Sequence, residues 1–488
     1  MAVRRIQSSA PNSDPNEMHS TPDAASFLHR TSRAVGAGAP LGIASLLLLL
    51  TGCALTPSPA ERAQSRGVTA VGNAIRSSSN PAPVHPPGPG SSPEVYLRFA
   101  LLHRPEVAAA YDQWRASVYA IAPERALPDP KITFQADITD TLKSLMPGFM
   151  VDLLGPKKRV VMTREAVARS EVAHRMYLAT LVSVTDSLRR SWTDLVAVDR
   201  SIALRSRMTD LMQRLTAATQ ASYETGRGAM TLEPQTDSID ASRKLALEIA
   251  NLRDQQAAAR SRFKAALGLA PGAPDPAWPS TSFTGSALPD DATLWTRILA
   301  ENPELATLRS AVDMADASIG VASVAGTPDF SAGLMADLKM NPLLYRPTAS
   351  FSLPIWRERI HAILEAAKSR HSAAVENLDA RQLSLAAELA DSLARLHSAS
   401  RTIRYLDASA FPKIDRDLAS SEAAYGTGAG GIDRLIQLRL MRLELATQRV
   451  EAERQRDLAF ADVVRLAAGD LGAAPALTPR ISSHSSQS

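Results

Sequence analysis

The chain has 488 residues, 45% hydrophobic but only 5% aromatic, with 54 basic side chains against 50 acidic ones. Near-balanced charge gives no footprint for nucleic acid, and a single cysteine excludes a disulfide framework and any Cys-rich metal cluster within one chain. Few aromatics beside long Ala/Leu/Arg/Glu tracts favour extended helices over a thick core.

The first element is a leader. Arg30 and Arg33 precede an apolar stretch from Val35 to Leu50, and Thr51-Gly52-Cys53 follow. A basic flank, a short apolar run and small residues at the cut describe a secretory signal. The run is about 16 residues, below the ~20 that a spanning helix needs. Residues 1–52 are therefore expected to be a signal peptide with an N-terminal extension. Leu50-Thr51-Gly52-Cys53 resembles the lipobox of bacterial lipoproteins, which implies lipidation at Cys53. Ala54 rather than Asp after that cysteine implies retention at the outer membrane.

Residues 53–93 are rich in Pro, Ser, Gly and Ala, with Pro81, Pro83, Pro86, Pro87 and Pro89 close together. Such a composition cannot bury a core and predicts an extended tether.

From there the chain repeats itself. Pro105-Glu106-Val107 returns as Pro303-Glu304-Leu305, and Pro128-Asp129 as Pro328-Asp329. Lys157 and Arg159 return as Arg357 and Arg359, and Tyr223-Glu224-Thr225-Gly226 as Tyr425-Gly426-Thr427-Gly428. Leu267-Gly268 returns near Ala468-Gly469. Five anchors in one order, each about 200 residues apart, define a tandem duplication. The first repeat is expected over 94–270, a linker over 271–301, the second repeat over 302–470, and a disordered tail over 471–488.

Within each repeat the elements follow one order. A helix is predicted over 105–126 and again over 303–325, both with Pro and an acidic residue in the first turn. The hydrophobic period then becomes alternating. Ile132, Phe134, Ala136 and Ile138 interleave with Thr133, Gln135, Asp137 and Thr139. Phe330, Ala332, Leu334 and Ala336 interleave with Ser331, Gly333, Met335 and Asp337. Pro147-Gly148 and Asn341-Pro342 supply breakers, so hairpins are predicted over 131–154 and 330–355. Next, Lys157–Thr225 contains neither Gly nor Pro, which predicts one helix about 100 Å long. The second copy is interrupted only by Pro412, where a kink is expected. Gly-bearing turns and return helices complete helical hairpins over 157–268 and 357–469.

The fold class is thus mainly α with a small β part. Four strands cannot close a membrane barrel, which needs about eight, and an open sheet would expose its edges and apolar face. Pooling three chains would give a 12-stranded barrel above a tube of helical hairpins.

The duplicated order of helix, hairpin, very long helix, Tyr-x-x-Gly-type turn and return helix resembles the TolC-like outer-membrane efflux proteins. The helix starts at Pro105 and Pro303, Leu127-Pro128-Asp129-Pro130 and the lipobox resemble the lipidated branch serving resistance-nodulation-division pumps, heavy-metal pumps among them. The resemblance implies a homotrimeric, passive exit duct at the outer membrane. Its implied partners are outer-membrane lipid, a periplasmic adaptor (membrane fusion protein) and an inner-membrane pump. It also implies adaptor docking at tips containing Tyr223, Gly226, Tyr425 and Gly428, and a periplasmic gate near Asp433.

No pair of histidines stands at a metal-ligand spacing, and no phosphate loop or nucleophile elbow appears. The expectation is a non-enzymatic protein without cofactor or metal. The competing reading is a lipid-anchored periplasmic coiled-coil scaffold or adaptor without a pore. The hairpins separate the two.

Overall fold

A computed structural model describes residues 56–78, 86–138, 142–155, 157–224, 233–282, 289–427, 429 and 431–468, all within one compact unit. Cys53, Gly226 and Gly428 lie outside the described residues, as do the leader and the C-terminal tail. Three short helices come first: α1 (Pro59–Ser78), α2 (Pro93–His103) and α3 (Pro105–Tyr119). After the short α4 (Ile121–Arg125) come strands β1 (Lys131–Ile138) and β2 (Leu142–Leu153). The long α5 (Lys158–Glu224) and the return helix α6 (Glu233–Ala266) complete the first repeat. The second repeat comprises α7 (Asp291–Glu301), α8 (Pro303–Ser323), β3 (Phe330–Asp337), β4 (Leu344–Phe351), α9 (Arg357–Tyr405), α10 (Phe411–Gly426) and α11 (Ile432–Leu466).

Both expected hairpins are present, and they join. The sheet has order β1-β2-β3-β4, antiparallel throughout, with β2 of the first repeat bonded to β3 of the second. The register makes the duplication regular. Ile132 stands opposite Phe149 and Ala332 opposite Ala349, so 332 − 132 = 349 − 149 = 200. The return helices obey the same offset: Gly268 (φ 79°) and Ala468 (φ 69°) follow the ends of α6 and α11 in the same left-handed conformation. The true counterpart of Gly268 is therefore Ala468, not Gly469.

Three expectations are corrected. Residues 59–78 do not belong to an extended tether. They form α1, whose Val68 and Val71 enter the first core with Trp114, Tyr177, Trp192 and Phe263. Gly72 belongs to that contact, because a Cβ there would stand 2.4 Å from the Tyr111 hydroxyl. Close packing, rather than looseness, is what the small residues of α1 serve. The segment expected as a helix over 105–126 is two, broken at Ala120, with Pro123 in the first turn of α4 where its missing N–H costs nothing. Within the expected linker, residues 291–301 form α7, capped by Asp290, whose carboxylate accepts from the Thr293 N–H at 3.1 Å. By position α7 repeats α2, so the second repeat begins one helix earlier than expected.

The long helices are continuous except at Pro412. There Leu406–Ala410 form a π-helical turn between α9 and α10. A proline lacks the N–H for the bond to residue i−4 and crowds that carbonyl, and one wide turn lets the helix pass it. Helix α5 packs against α6, α8 and α11, and α11 packs against α9 and α10. Met208 and Met212, on the apolar stripe of α5, are buried with Leu245 of α6. Among the described residues, no helix is long and apolar enough to cross a membrane.

Candidate functional site

The sheet is the first candidate surface. Opposed residues of an antiparallel pair point to the same side. One face therefore carries the rows Ile132–Phe149–Leu334–Pro347, Val151–Ala332–Ala349 and Leu153–Phe330–Phe351. Much of this face reaches solvent, with Phe134 74% exposed and Phe351 63%, while Val151 is buried. The other face carries Thr133, Gln135, Asp137, Ser144, Asp152, Ser331, Asp337, Arg346, Thr348 and Ser350 among its residues. Its charges are paired in part: Lys131 Nζ lies 2.6 Å from Asp152, and Arg346 lies 3.7 Å from the buried Asp337. Eight-residue strands reach about 26 Å, close to the ~25 Å apolar band of an outer-membrane barrel.

Aromatic side chains flank the face. Trp356 is 70% exposed, and Tyr345 and Phe149 are exposed too, so burial between helix and sheet does not account for them. The cations at the start of α5 behave differently. Lys158 is nearly buried, with Nζ 2.9 Å from both carboxylate oxygens of Asp329. The Gly155 N–H donates to the same carboxylate at 2.8 Å. The Asp329 N–H donates to Ser352 Oγ, and the Ser352 N–H donates to the Asp329 carbonyl. Burial opposes ionisation of Asp329, but the Lys158 and Gly155 donors hold its carboxyl below the usual range. The Pro-Asp step before β3 thus ties the exits of both hairpins together.

The second candidate surface lies at the far ends of the long helices. Tyr223 falls in the last turn of α5, its side chain outside the described residues. Tyr425 stands half exposed in the last turn of α10, and Asp433 is exposed in the first turn of α11. An acidic residue there is favoured by the helix dipole. At 67 residues and 1.5 Å each, α5 carries its end about 100 Å from the sheet.

Charged pairs stitch the shaft. Arg449, Arg442 and Arg439 of α11 meet Asp407, Asp415 and Glu422 at 2.8, 2.7 and 3.1 Å. Arg200 and Arg205 of α5 meet Glu453 and Glu444 at 3.1 and 2.9 Å, joining the two hairpins. The Arg449 guanidinium holds Asp407 below the usual carboxylate range. Sequence reasoning missed the two pairs between hairpins, because residues some 240–250 positions apart face each other only once both hairpins have folded. Among the described residues, no group of three or more His, Cys, Asp or Glu is placed to hold a metal ion.

The architecture defines a class: duplicated helical hairpins of channel length beneath an amphipathic sheet. The chain shares this fold with CusC, at 15% identity and a TM-score of 0.65 over 77% of this chain and 92% of that one. It shares it with a membrane protein from Pseudomonas aeruginosa, at 16% identity and a TM-score of 0.67 over 81% and 97%. The open state of the Neisseria gonorrhoeae MtrE outer membrane channel is similar at 15% identity and a TM-score of 0.65, over 77% and 88%. No curated protein sequence matches. Residues 294–469 match the family model described as outer membrane efflux protein. That match lies within the second repeat, α7 included, so the likeness to outer membrane efflux proteins at the level of sequence is carried by this part of the chain.

Proposed function

We propose that the protein is the outer-membrane exit duct of a tripartite efflux system, built from three copies and conducting substrates passively to the exterior. The observation that carries this reading is the sheet. Four strands with an unbroken apolar face and a polar, ion-paired face have the patterning of a barrel wall that meets lipid outside and water inside. A periplasmic scaffold without a pore has no use for exposed Phe134 and Phe351. Three copies supply twelve strands, and their helical hairpins form a tube through the periplasm. Lipid on Cys53 anchors the chain, and the surface around Tyr223, Gly226, Tyr425 and Gly428 docks the periplasmic adaptor, which joins the duct to the inner-membrane pump. Asp433 contributes three carboxylates around the axis at the periplasmic entrance, where they attract cations.

Reconstitution into a planar bilayer, with oligomer mass measured in detergent, tests the duct. Discrete conductance from a trimer is expected, and a monomer that passes no ions removes the reading. For the entrance, Asp433→Ala is expected to lower cation selectivity in the same recording. Unchanged selectivity makes Asp433 a solvated residue on the surface of α11 and nothing more.

A further inference from the structure

We propose that the foot of the apolar sheet face binds the headgroup of an anionic phospholipid of the periplasmic leaflet. Arg357 and its repeat-related partner Lys157 hold the phosphate, and Trp356 packs at the level of the interface. The inference rests on the duct reading and deepens it, by naming the lipid that the wall prefers.

The chain leaves β4 through a run of exposed side chains. Below the row Leu153–Phe330–Phe351, Leu353 is 68% exposed, Ile355 66% and Trp356 70%. Aliphatic residues thus give way to an indole and then, six positions after the end of β4, to the exposed Arg357. A bilayer presents its layers in the same order: hydrocarbon, interface, phosphate. An indole suits the middle layer, and a guanidinium suits a phosphate oxygen pair.

The helix below leaves that guanidinium free. Ile360 of α9 packs beside Gly326, while Ile363, Ala367 and Ala374 line the groove shared with α8. Arg357, His361 and Lys368 follow at helical steps of four and seven, so they share a different face, and all three are exposed. Lys368 is held by Glu365 at 2.8 Å, and His361 faces the same carboxylate. Among the described residues the Arg357 side chain makes no hydrogen bond or ion pair. A cation in the first turn of a helix is disfavoured by the dipole, and the N-cap residue Trp356 supplies no side-chain cap. An anionic phosphate there offsets both costs.

The duplication repeats the arrangement. Lys157 follows β2 as Arg357 follows β4, 200 positions earlier. It is exposed, has no side-chain partner among the described residues, and holds a left-handed conformation, φ 67°. The next position gives the contrast. Lys158 closes on Asp329, whereas its counterpart is Glu358. The cation that pairs within the chain changed sign between repeats, and the exposed one stayed basic. Acids at this level do not neutralise the pair. Asp152 is taken by Lys131 and Asp329 by Lys158. Glu358 lies about 100° round the helix from Arg357, and Asp129 precedes β1, at the opposite edge of the sheet from β4.

Native mass spectrometry of the full chain, purified from outer membranes in mild detergent, tests the site. Phosphatidylglycerol and phosphatidylcholine with identical acyl chains are added in equal amounts. The wild-type oligomer is expected to retain the anionic lipid about fivefold better, the preference one cation gives near an anionic surface. Arg357→Gln with Lys157→Gln is expected to bring the ratio close to one, and Arg357→Lys to keep it. Lys368→Gln, on the same face about 16 Å further down α9, is expected to leave it unchanged. Equal retention of both lipids by the wild type overturns the inference, as does a double variant that keeps the full preference. A loss in Lys368→Gln as large as that in the double variant overturns it too, because diffuse surface charge then accounts for the binding. If the double variant dissociates into monomers while its remaining oligomer keeps the preference, the cations serve contact between copies instead. A trimer that conducts without any lipid preference removes this site and leaves the duct. A monomer that passes no ions removes both.

Discussion

Lys158 Nζ sits 2.9 Å from Asp329, a residue 171 positions further along the chain. The pair binds the first residue of the longest helix to the residue that precedes the third strand. It therefore joins the two repeats where shaft meets sheet. Removing Asp329 leaves the Lys158 ammonium and the Gly155 N–H without their acceptor. Asp329→Asn is expected to cost about 1–2 kcal/mol, the lower part of the range for a charged hydrogen bond because the carboxylate is partly solvated. The free-energy losses of Asp329→Asn and Lys158→Met should add to more than that of the double variant, as measured by urea unfolding of the assembled protein.

The same carboxyl has a pH signature. Its pKa is lowered in the folded protein, so its stabilisation is complete above the ordinary carboxylate pKa. It is lost as pH falls through the lower folded value. Heat stability of the wild-type oligomer should decline on acidification more steeply than that of Asp329→Asn. Identical slopes would show that the pair carries none of the acid sensitivity.

Neighbouring residues on β1 give the sharpest contrast on the sheet. Phe134 lies on the apolar face and Gln135 on the polar one. Phe134→Lys is expected to destabilise insertion by about 2–4 kcal/mol, while Gln135→Lys inserts normally. Folded, heat-modifiable protein in outer-membrane fractions reads the difference, and equal loss from both substitutions would contradict the two-faced wall.

The ends of the two return helices predict opposite responses to reciprocal substitutions. Gly268 needs its left-handed conformation, and a Cβ there would stand 2.6 Å from the His103 carbonyl oxygen. Gly268→Ala should therefore destabilise by more than about 1 kcal/mol. Ala468 holds the same conformation with a Cβ, so Ala468→Gly should stabilise by about 0.5–1 kcal/mol, the left-handed penalty less the added freedom of the unfolded chain. Denaturant midpoints of the two variants moving in the same direction would overturn the equivalence.

Helix α1 is held by Trp114, which is buried against Gly67 and whose indole Nε1–H donates to Gln64 at 2.9 Å. Gln64 in turn donates to Glu171 of α5. Trp114→Ala is expected to cost about 3–5 kcal/mol and to open the α1 segment to protease first. Cleavage elsewhere before residues 59–78 would place the weak point outside this contact.

Much of this architecture was legible in the sequence for physical reasons. The absence of Gly and Pro between Lys157 and Thr225 leaves helix as the favoured conformation over that span. Strict alternation through Ile132–Ile138 and Phe330–Asp337 specifies strands with two unlike faces. The recurrence of Pro-Asp and of the Gly-bearing turns marks the duplication. Other features lay beyond local pattern. Residues 59–78 read as tether because composition carries no record of what a glycine packs against, and Gly67 and Gly72 became legible only beside Trp114 and Tyr111. Asp329 and Lys158 were each visible as charges, but their pairing follows from β2 meeting β3. The sequence by itself determined the periods, the breaks and the duplication, because those depend on neighbours a few residues away. Only the tertiary structure decided that the hairpins share one sheet, where its two open edges lie, and which charges face each other across hundreds of residues. Those relations depend on which distant surfaces come to rest together.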